Sequence, residues 1–370
     1  VLAILGINNR NIFNDNEQVI QDKQQIKQEN LTIDEKVDQI VESMSQTEKL
    51  GQMVMIGIQG TKVDDDSLYM LNQYHMGGVI LFDRNMENPE QVKQLTSDLQ
   101  AQSNEKVPLF IGIDEEGGDV VRMAEKLTPP PSQKEIGATG DIEQAKTWAI
   151  KTAKSLKDMG INVNFAPVAD VGSNDKRSYS TDTNTVIDFV RAATKGYQQE
   201  NIIYSLKHFP GIGKGRVDSH VDSSSIDVAK EVLMAEDILP FKTIIDENEP
   251  NDYFILVSHL KYPALDEEYP ASLSSKIMTD LLRNELGYKG IIITDDMEMG
   301  AVANHNDFRS IGVNAVKAGA DIVLVCHEYE HQQEVYLGLL DAVNSGEISQ
   351  ERIDESVKRI IKVKLLHLYQ

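Results

Sequence analysis

The chain has 370 residues, of which 41% are hydrophobic and 26% charged, the composition of an ordinary folded domain. A net charge of -23 repels phosphate, which excludes nucleic acids and anionic membrane surfaces as partners. The single cysteine, Cys326, excludes an intramolecular disulfide and a cysteine-based zinc site, and no run reaches the ~18 apolar residues that span a bilayer.

Val1 to Ile7 is apolar and is followed by Asn8 to Asn30, rich in Asn, Gln, Asp and Lys. The latter has too little apolar surface to fold alone, so residues 1–30 are expected to form a flexible N-terminal segment. It reads either as the end of a trimmed leader with a tether to a membrane or as a frayed terminus. Residues 31–370 are expected to form one domain.

From about Leu31 the pattern becomes short apolar runs alternating with amphipathic segments. A leading helix over Ile33–Ser45 precedes the runs Gly51–Ile58, Gly77–Phe82, Val107–Asp114 and Val163–Asp170. Four more follow at Ile202–Phe209, Tyr253–His259, Gly290–Asp295 and Asp321–Cys326. Most are rich in Val and Ile without alternation, as expected of strands buried on both faces. Helices are predicted at Asn88–Asn104, Asp141–Met159, Thr183–Gln199, Asp227–Glu247, Ser274–Leu286, Asp307–Ala318, Tyr329–Ser345 and Ser349–His367. Asn88 with Pro89 is a helix-start signal, and Gly160, Gly287 and Gly319 sit where helices end. Eight strand–helix repeats without a Gly-rich dinucleotide fingerprint predict a single (β/α)8 TIM barrel, with an open eight-stranded parallel sheet as the rival fold. Polar residues gather at the C-terminal ends of the runs, where barrel active sites lie.

The third run ends Asp114-Glu115-Glu116-Gly117-Gly118, with Arg122 beyond. Alone, this is either a solvated acidic turn or a polar mouth where backbone approaches a ligand. Asp170 ends the fourth run, and Arg177 lies in the loop after it. The fifth run ends Lys207-His208, side chains that alternation sends to opposite sides of the backbone. A glycine-rich loop then leads to Asp218 and His220, two residues apart. A carboxylate that close can fix the tautomer of an imidazole and raise its basicity, although an isolated D-x-H is as readily a capped turn. The seventh run ends Thr294-Asp295-Asp296-Met297-Glu298-Met299. Three acids at a buried strand end are costly unless paired or used, either as a metal site or with Asp295 as a carboxylate nucleophile.

These segments together resemble glycoside hydrolase family 3, and within it the bacterial β-N-acetylglucosaminidase branch. The resemblance runs from about Lys49 to the C-terminus. It rests on GGVILFDRN (Gly77–Asn85), IDEEGG with Arg122, NFAPVADV (Asn164–Val171), KHFPG…DSH (Lys207–His220), ITDDMEMGA (Ile293–Ala301) and AGAD (Ala318–Asp321). It implies the (β/α)8 barrel and a retaining exo-β-N-acetylglucosaminidase acting on terminal β-linked N-acetylglucosamine of cell-wall muropeptides or related glycans. By position, Asp295 is similar to the family nucleophile, and Asp218 with His220 to its acid/base dyad. Asp114, Arg122, Arg177, Lys207 and His208 resemble residues that hold the terminal sugar, with Met299 beside them. Neither a cofactor nor a metal is implied. A carbohydrate is the expected partner, a monomer the expected state, and an exported or cell-surface location is favoured over the cytoplasm. The chain departs from the family at Ile212, where a histidine is usual, and at Asp119, where an arginine is usual. A β-glucosidase, a catalytically idle sugar-binding barrel and a metal-dependent barrel hydrolase are the alternatives.

Overall fold

The computed structural model describes residues 31–103, 107–124, 126–172, 176–215, 225–304 and 307–369. Eight parallel strands close on themselves: β1 (Val54–Gly57), β2 (Gly78–Leu81), β3 (Phe110–Ile113), β4 (Val163–Asn164), β5 (Ile203–Phe209), β6 (Tyr253–Val257), β9 (Ile291–Asp296) and β10 (Ile322–Val325). Their order around the barrel is β1-β10-β9-β6-β5-β4-β3-β2, which is the (β/α)8 barrel and not an open sheet. Two short antiparallel strands, β7 (Lys261–Tyr262) and β8 (Asp266–Pro270), form a hairpin between β6 and β9.

Side chains fill the barrel interior. Phe110 and Phe254 meet edge-to-face at 5.2 Å. Gly112 makes room for its neighbours, since a Cβ there would lie 2.8 Å from both the Met55 methyl and the Phe165 ring. At the base, Lys364 from the last helix is wholly buried and hydrogen-bonds to Gln52 Oε1 at 2.6 Å and Gly77 O at 2.7 Å.

Several boundaries differ from those predicted. The leading helix ends at Ser43, and an unpredicted second helix, Gln46–Gln52, follows it and takes the start of the first apolar run, because Thr32 and Ser45 each form a complete capping box and each starts a helix. The first pairs with the final helix, Gln350–His367, through Lys358–Asp38 (2.6 Å) and Lys362–Asp34 (2.7 Å). The run Val163–Asp170 shrinks to a two-residue strand. Pro167 has no N–H to give, and Val168 N bonds to the side chain of Gln133 in place of a neighbouring strand. Helices Asp65–Tyr74 and Gln133–Ala138 and the β7–β8 hairpin were not anticipated. The segment Asp227–Glu247 winds as Lys230–Val232, a π-type turn over Leu233–Asp237, and Leu239–Glu247.

Candidate active site

A cavity of about 430 Å³ opens at the C-terminal ends of the strands. Asp114, Arg122, Arg177, Lys207, His208, Asp295 and Met299 all line it, so seven of the nine residues singled out in the sequence converge there. The other two, Asp218 and His220, fall in 216–224, outside the described residues.

On one side the charged groups form a saturated cluster. Lys207, 2% exposed at the end of β5, donates to Asp114 Oδ1 at 2.7 Å and pairs with Glu116 Oε1. Glu116 also receives a two-pronged contact from Arg177, Nε and Nη2 each at 2.8 Å. Arg122 Nη2 donates to Asp114 Oδ2 at 3.1 Å. Burial by itself would neutralise these groups, but mutual pairing outweighs it. Lys207 is raised above the ordinary lysine range by Asp114 and Glu116. Asp114 is lowered by Lys207 and Arg122, and Glu116 is held well below the usual carboxylate range by Lys207 and Arg177.

His208 completes this side. Its Nε2 lies 3.1 Å from Arg177 Nη2, and guanidinium only donates, so Nε2 is the acceptor. The ring proton therefore sits on Nδ1 and is donated to Asp170 Oδ2 at 2.8 Å. Asp170 Oδ1 accepts from the backbone N–H of His208 (3.1 Å) and of Ile212 (2.9 Å). Contrary to simple alternation, Lys207 and His208 both face the cavity, at the point where the register of β5 against β6 shifts between Leu206 and Phe209. Ile212, the departure from the family, fills part of the cavity wall. Gly213 follows with no space for a Cβ, which would lie 1.9 Å from Val171 O. Asp119, the other departure, is exposed and pairs with Lys176 at 3.3 Å.

Across the cavity, β9 ends in the three acids. Asp296 Oδ1 accepts from the N–H groups of Cys326 and Glu298, both at 3.1 Å, and its Oδ2 lies 3.2 Å from His327 Nε2. Glu298 accepts from Glu328 N at 2.9 Å and from His331 Nδ1 at 2.6 Å. Asp295 differs. Among the described residues its carboxylate accepts only from the N–H of Asp296, at 2.9 Å. The polar groups Asp170, Glu116, Asp296, Glu298, Arg84 and His327 were given no role by the sequence. Asp170, Glu116, Asp296 and Glu298 stood at strand ends already flagged, whereas His327 had no signal beyond following the last run.

Residues 45–363 match the glycosyl hydrolase family 3 N terminal domain, most of the chain. The chain belongs to glycosyl hydrolase family 3. Among its relatives in that family, beta-hexosaminidase A of Pseudoalteromonas piscicida is 36% identical over 326 residues, covering 80% of this chain and 54% of that protein. A beta-hexosaminidase of Nitrosomonas eutropha is 31% identical over 318 residues, covering 82% of this chain and 90% of that one. The solved family 3 beta-N-acetylglucosaminidase of Paenibacillus sp. superposes with a TM-score of 0.84 at 38% identity, covering 87% of this chain and 62% of that chain. The chain thus spans about half the length of the first relative and nearly all of the second.

Proposed function

We propose that this family 3 barrel is a retaining exo-β-N-acetylglucosaminidase that removes terminal β-linked N-acetylglucosamine, with Asp295 as nucleophile. One observation carries the reading. Of the three acids ending β9, Asp296 and Glu298 are committed to N–H and imidazole donors, while Asp295 faces the cavity with one oxygen free of partners among the described residues. An uncommitted carboxylate opposite a hydroxyl-binding cluster is what attack on an anomeric carbon requires. The names of the relatives supply the substrate class.

In the first step the Asp295 carboxylate forms a bond to C1 as the C1–O bond to the leaving group breaks. Protonated His220, its charge stabilised by Asp218 in the proposed dyad, delivers its proton to the departing oxygen. Water then attacks C1, His220 takes the water proton, and the C1–Asp295 bond breaks, so configuration at C1 is retained. Asp114 and Glu116 offer acceptors to sugar hydroxyls, Lys207, Arg122 and Arg177 offer donors, and Met299 lines the wall beside them. A muropeptide or related glycan is the expected natural source of the sugar. The test is hydrolysis of 4-nitrophenyl N-acetyl-β-D-glucosaminide beside the matching glucoside, with wild type and Asp295→Ala, the product anomer being followed by NMR. Turnover of the first alone, with β product, abolished in the variant, is expected. Turnover of the glucoside alone refutes the specificity, and no turnover of either returns the idle barrel.

A further inference from the structure

The wall formed by His327, Arg84 and Asp296 has no part in the step above, yet its bonds lead to Asp295. His327 follows β10 and is half-exposed on the cavity wall. Its Nδ1 lies 3.2 Å from Arg84 Nη1, which can only donate, so in the neutral ring Nδ1 accepts and the proton sits on Nε2. The ring nitrogen that carries the proton, Nε2, is the one that lies 3.2 Å from Asp296 Oδ2. Two backbone donors on Oδ1 and the His327 ring against Oδ2 hold the Asp296 carboxylate at both oxygens. The main-chain carbonyl of Asp296 is held as well, by Met299 N at 3.0 Å and His259 Nε2 at 2.8 Å. The remaining main-chain group of Asp296, its N–H, makes the 2.9 Å bond that orients the Asp295 carboxylate.

Arg84 is itself anchored. Its Nε donates to Ile58 O at 2.9 Å and Nη2 to Cys326 O, while the guanidinium lies 4.6 Å from the centre of the Phe82 ring. The His327 ring lies against the same phenyl, 5.4 Å between centres. Side chains following β2 and β10 thus brace the residue next to Asp295 on β9.

We propose that His327 is a positioning residue for Asp295, acting through Asp296, with Arg84 setting its tautomer. The idea rests on Asp295 being the nucleophile and concerns what aims its carboxylate. A neighbour that orients a nucleophile affects the transition state more than the bound ground state, so its loss falls on kcat and spares KM.

The experiment uses the full chain and 4-nitrophenyl N-acetyl-β-D-glucosaminide, with His327→Phe, His327→Gln, Asp296→Asn and Asp295→Ala. Phe keeps a ring against Phe82 and has no N–H. Gln can accept from Arg84 and donate to Asp296 at nearly the same reach as the imidazole. Loss of this polar contact to a charged group is expected to lower kcat of His327→Phe roughly 10-fold or more, with KM within about 2-fold. His327→Gln should recover to within about 3-fold of wild type, and Asp296→Asn should lose at least as much as His327→Phe. A His327→Phe enzyme with wild-type kcat, a loss confined to KM, or a His327→Gln enzyme as impaired as the Phe variant overturns the proposal. If Phe does not fold, an Asp296→Asn enzyme with unchanged kcat overturns it equally. Residual turnover by Asp295→Ala would instead place the fault in the nucleophile assignment, and the two failures are thereby distinguished.

Discussion

Glu115 lies beside Asp114 and Glu116 of the charged cluster and is 3% exposed. Its backbone N–H and carbonyl are paired with the side chain of Asn164 at 3.0 and 3.1 Å, and its Oε2 accepts from Arg122 N at 2.9 Å. Burial outweighs that bond and raises its pKa from 4.5 to about 7. Because the folded value lies above the unfolded one, the folded state binds this proton more tightly between those two pH values. The native state is therefore favoured below the unfolded pKa and loses ground as pH rises towards 7, with the full cost present above it. At 1.36 kcal/mol per pH unit the gap is on the order of 3 kcal/mol. Glu115→Gln keeps an oxygen for Arg122 N and never ionises, so it should gain up to that amount at pH 8.5 and much less at pH 5. With an unfolding entropy of ~2.1 cal/mol/K per residue, a chain of this size should melt about 4 °C higher at pH 8.5. Scanning calorimetry of wild type and variant at both values is the assay. An equal shift at the two pH values, or a variant that melts lower at pH 8.5, would refute the reasoning.

Three further perturbations test other parts of the molecule. Asp321 is fully buried and satisfied by Arg283, Arg359 at 2.9 Å, Ser356 at 2.6 Å and Ile292 N at 2.9 Å, so Asp321→Ala strands buried guanidinium groups. It should cost roughly 3–5 kcal/mol by urea unfolding with little change in KM for whatever remains folded. Lys364 has neutral hydrogen-bond partners, with the Phe110 ring 4.7 Å from Nζ, and burial drives its pKa well below the usual value. Its folded pKa lies below its unfolded one, so wild-type stability should rise with pH towards 10. Lys364→Met should lack that rise while staying within ~1 kcal/mol of wild type at pH 7, since Gly77 O keeps the N–H of Phe110. His220→Ala should lose ~10²–10⁴-fold on alkyl glycosides and far less on aryl glycosides, whose leaving groups need little protonation, and equal losses would remove His220 from the acid/base role.

What the sequence made legible follows from the physics of a parallel barrel. Strands buried on both faces must be apolar throughout, so all eight runs stood out, and chemistry collects at their C-terminal ends, so Asp114, Lys207, His208 and Asp295 could be named. Boundaries were less visible because they depend on where each N–H finds a partner. Val168 bonds to Gln133 and Ala169 to Lys207 O, choices no local pattern encodes. Helix Asp65–Tyr74 is short and mostly polar, and it starts on a capping box between Asp64 and Ser67 in place of a strong apolar stripe. The bracing of Asp296 was invisible for a different reason. Arg84 and His327 are 243 residues apart and meet only because closure of the barrel sets β10 beside β1, next to β2.

The distribution of formal charge in the cavity bears on both ligand and chemistry. On the binding side, Asp114, Glu116 and Asp170 carry three negative charges, matched by Lys207, Arg122 and Arg177, with a neutral His208 between them. Such a cluster presents many fixed donors and acceptors but little net field, which suits a neutral sugar rich in hydroxyls. An anionic substituent on that sugar would meet three cations already engaged, and would have to displace Asp114 or Glu116 to reach them. On the opposite wall Asp296 lies against His327 and Glu298 against His331, so among the described residues Asp295 is the one acid of the three with no side-chain partner. Positive charge develops at C1 as the glycosidic bond breaks, and an anion held in place beforehand stabilises it without reorganising. On the proposed assignment of Asp295 as nucleophile, a cluster that keeps its own charges paired leaves the Asp295 carboxylate to act on the reacting carbon, and a substitution that unpairs it, such as loss of Lys207, is expected to lower kcat as well as raise KM.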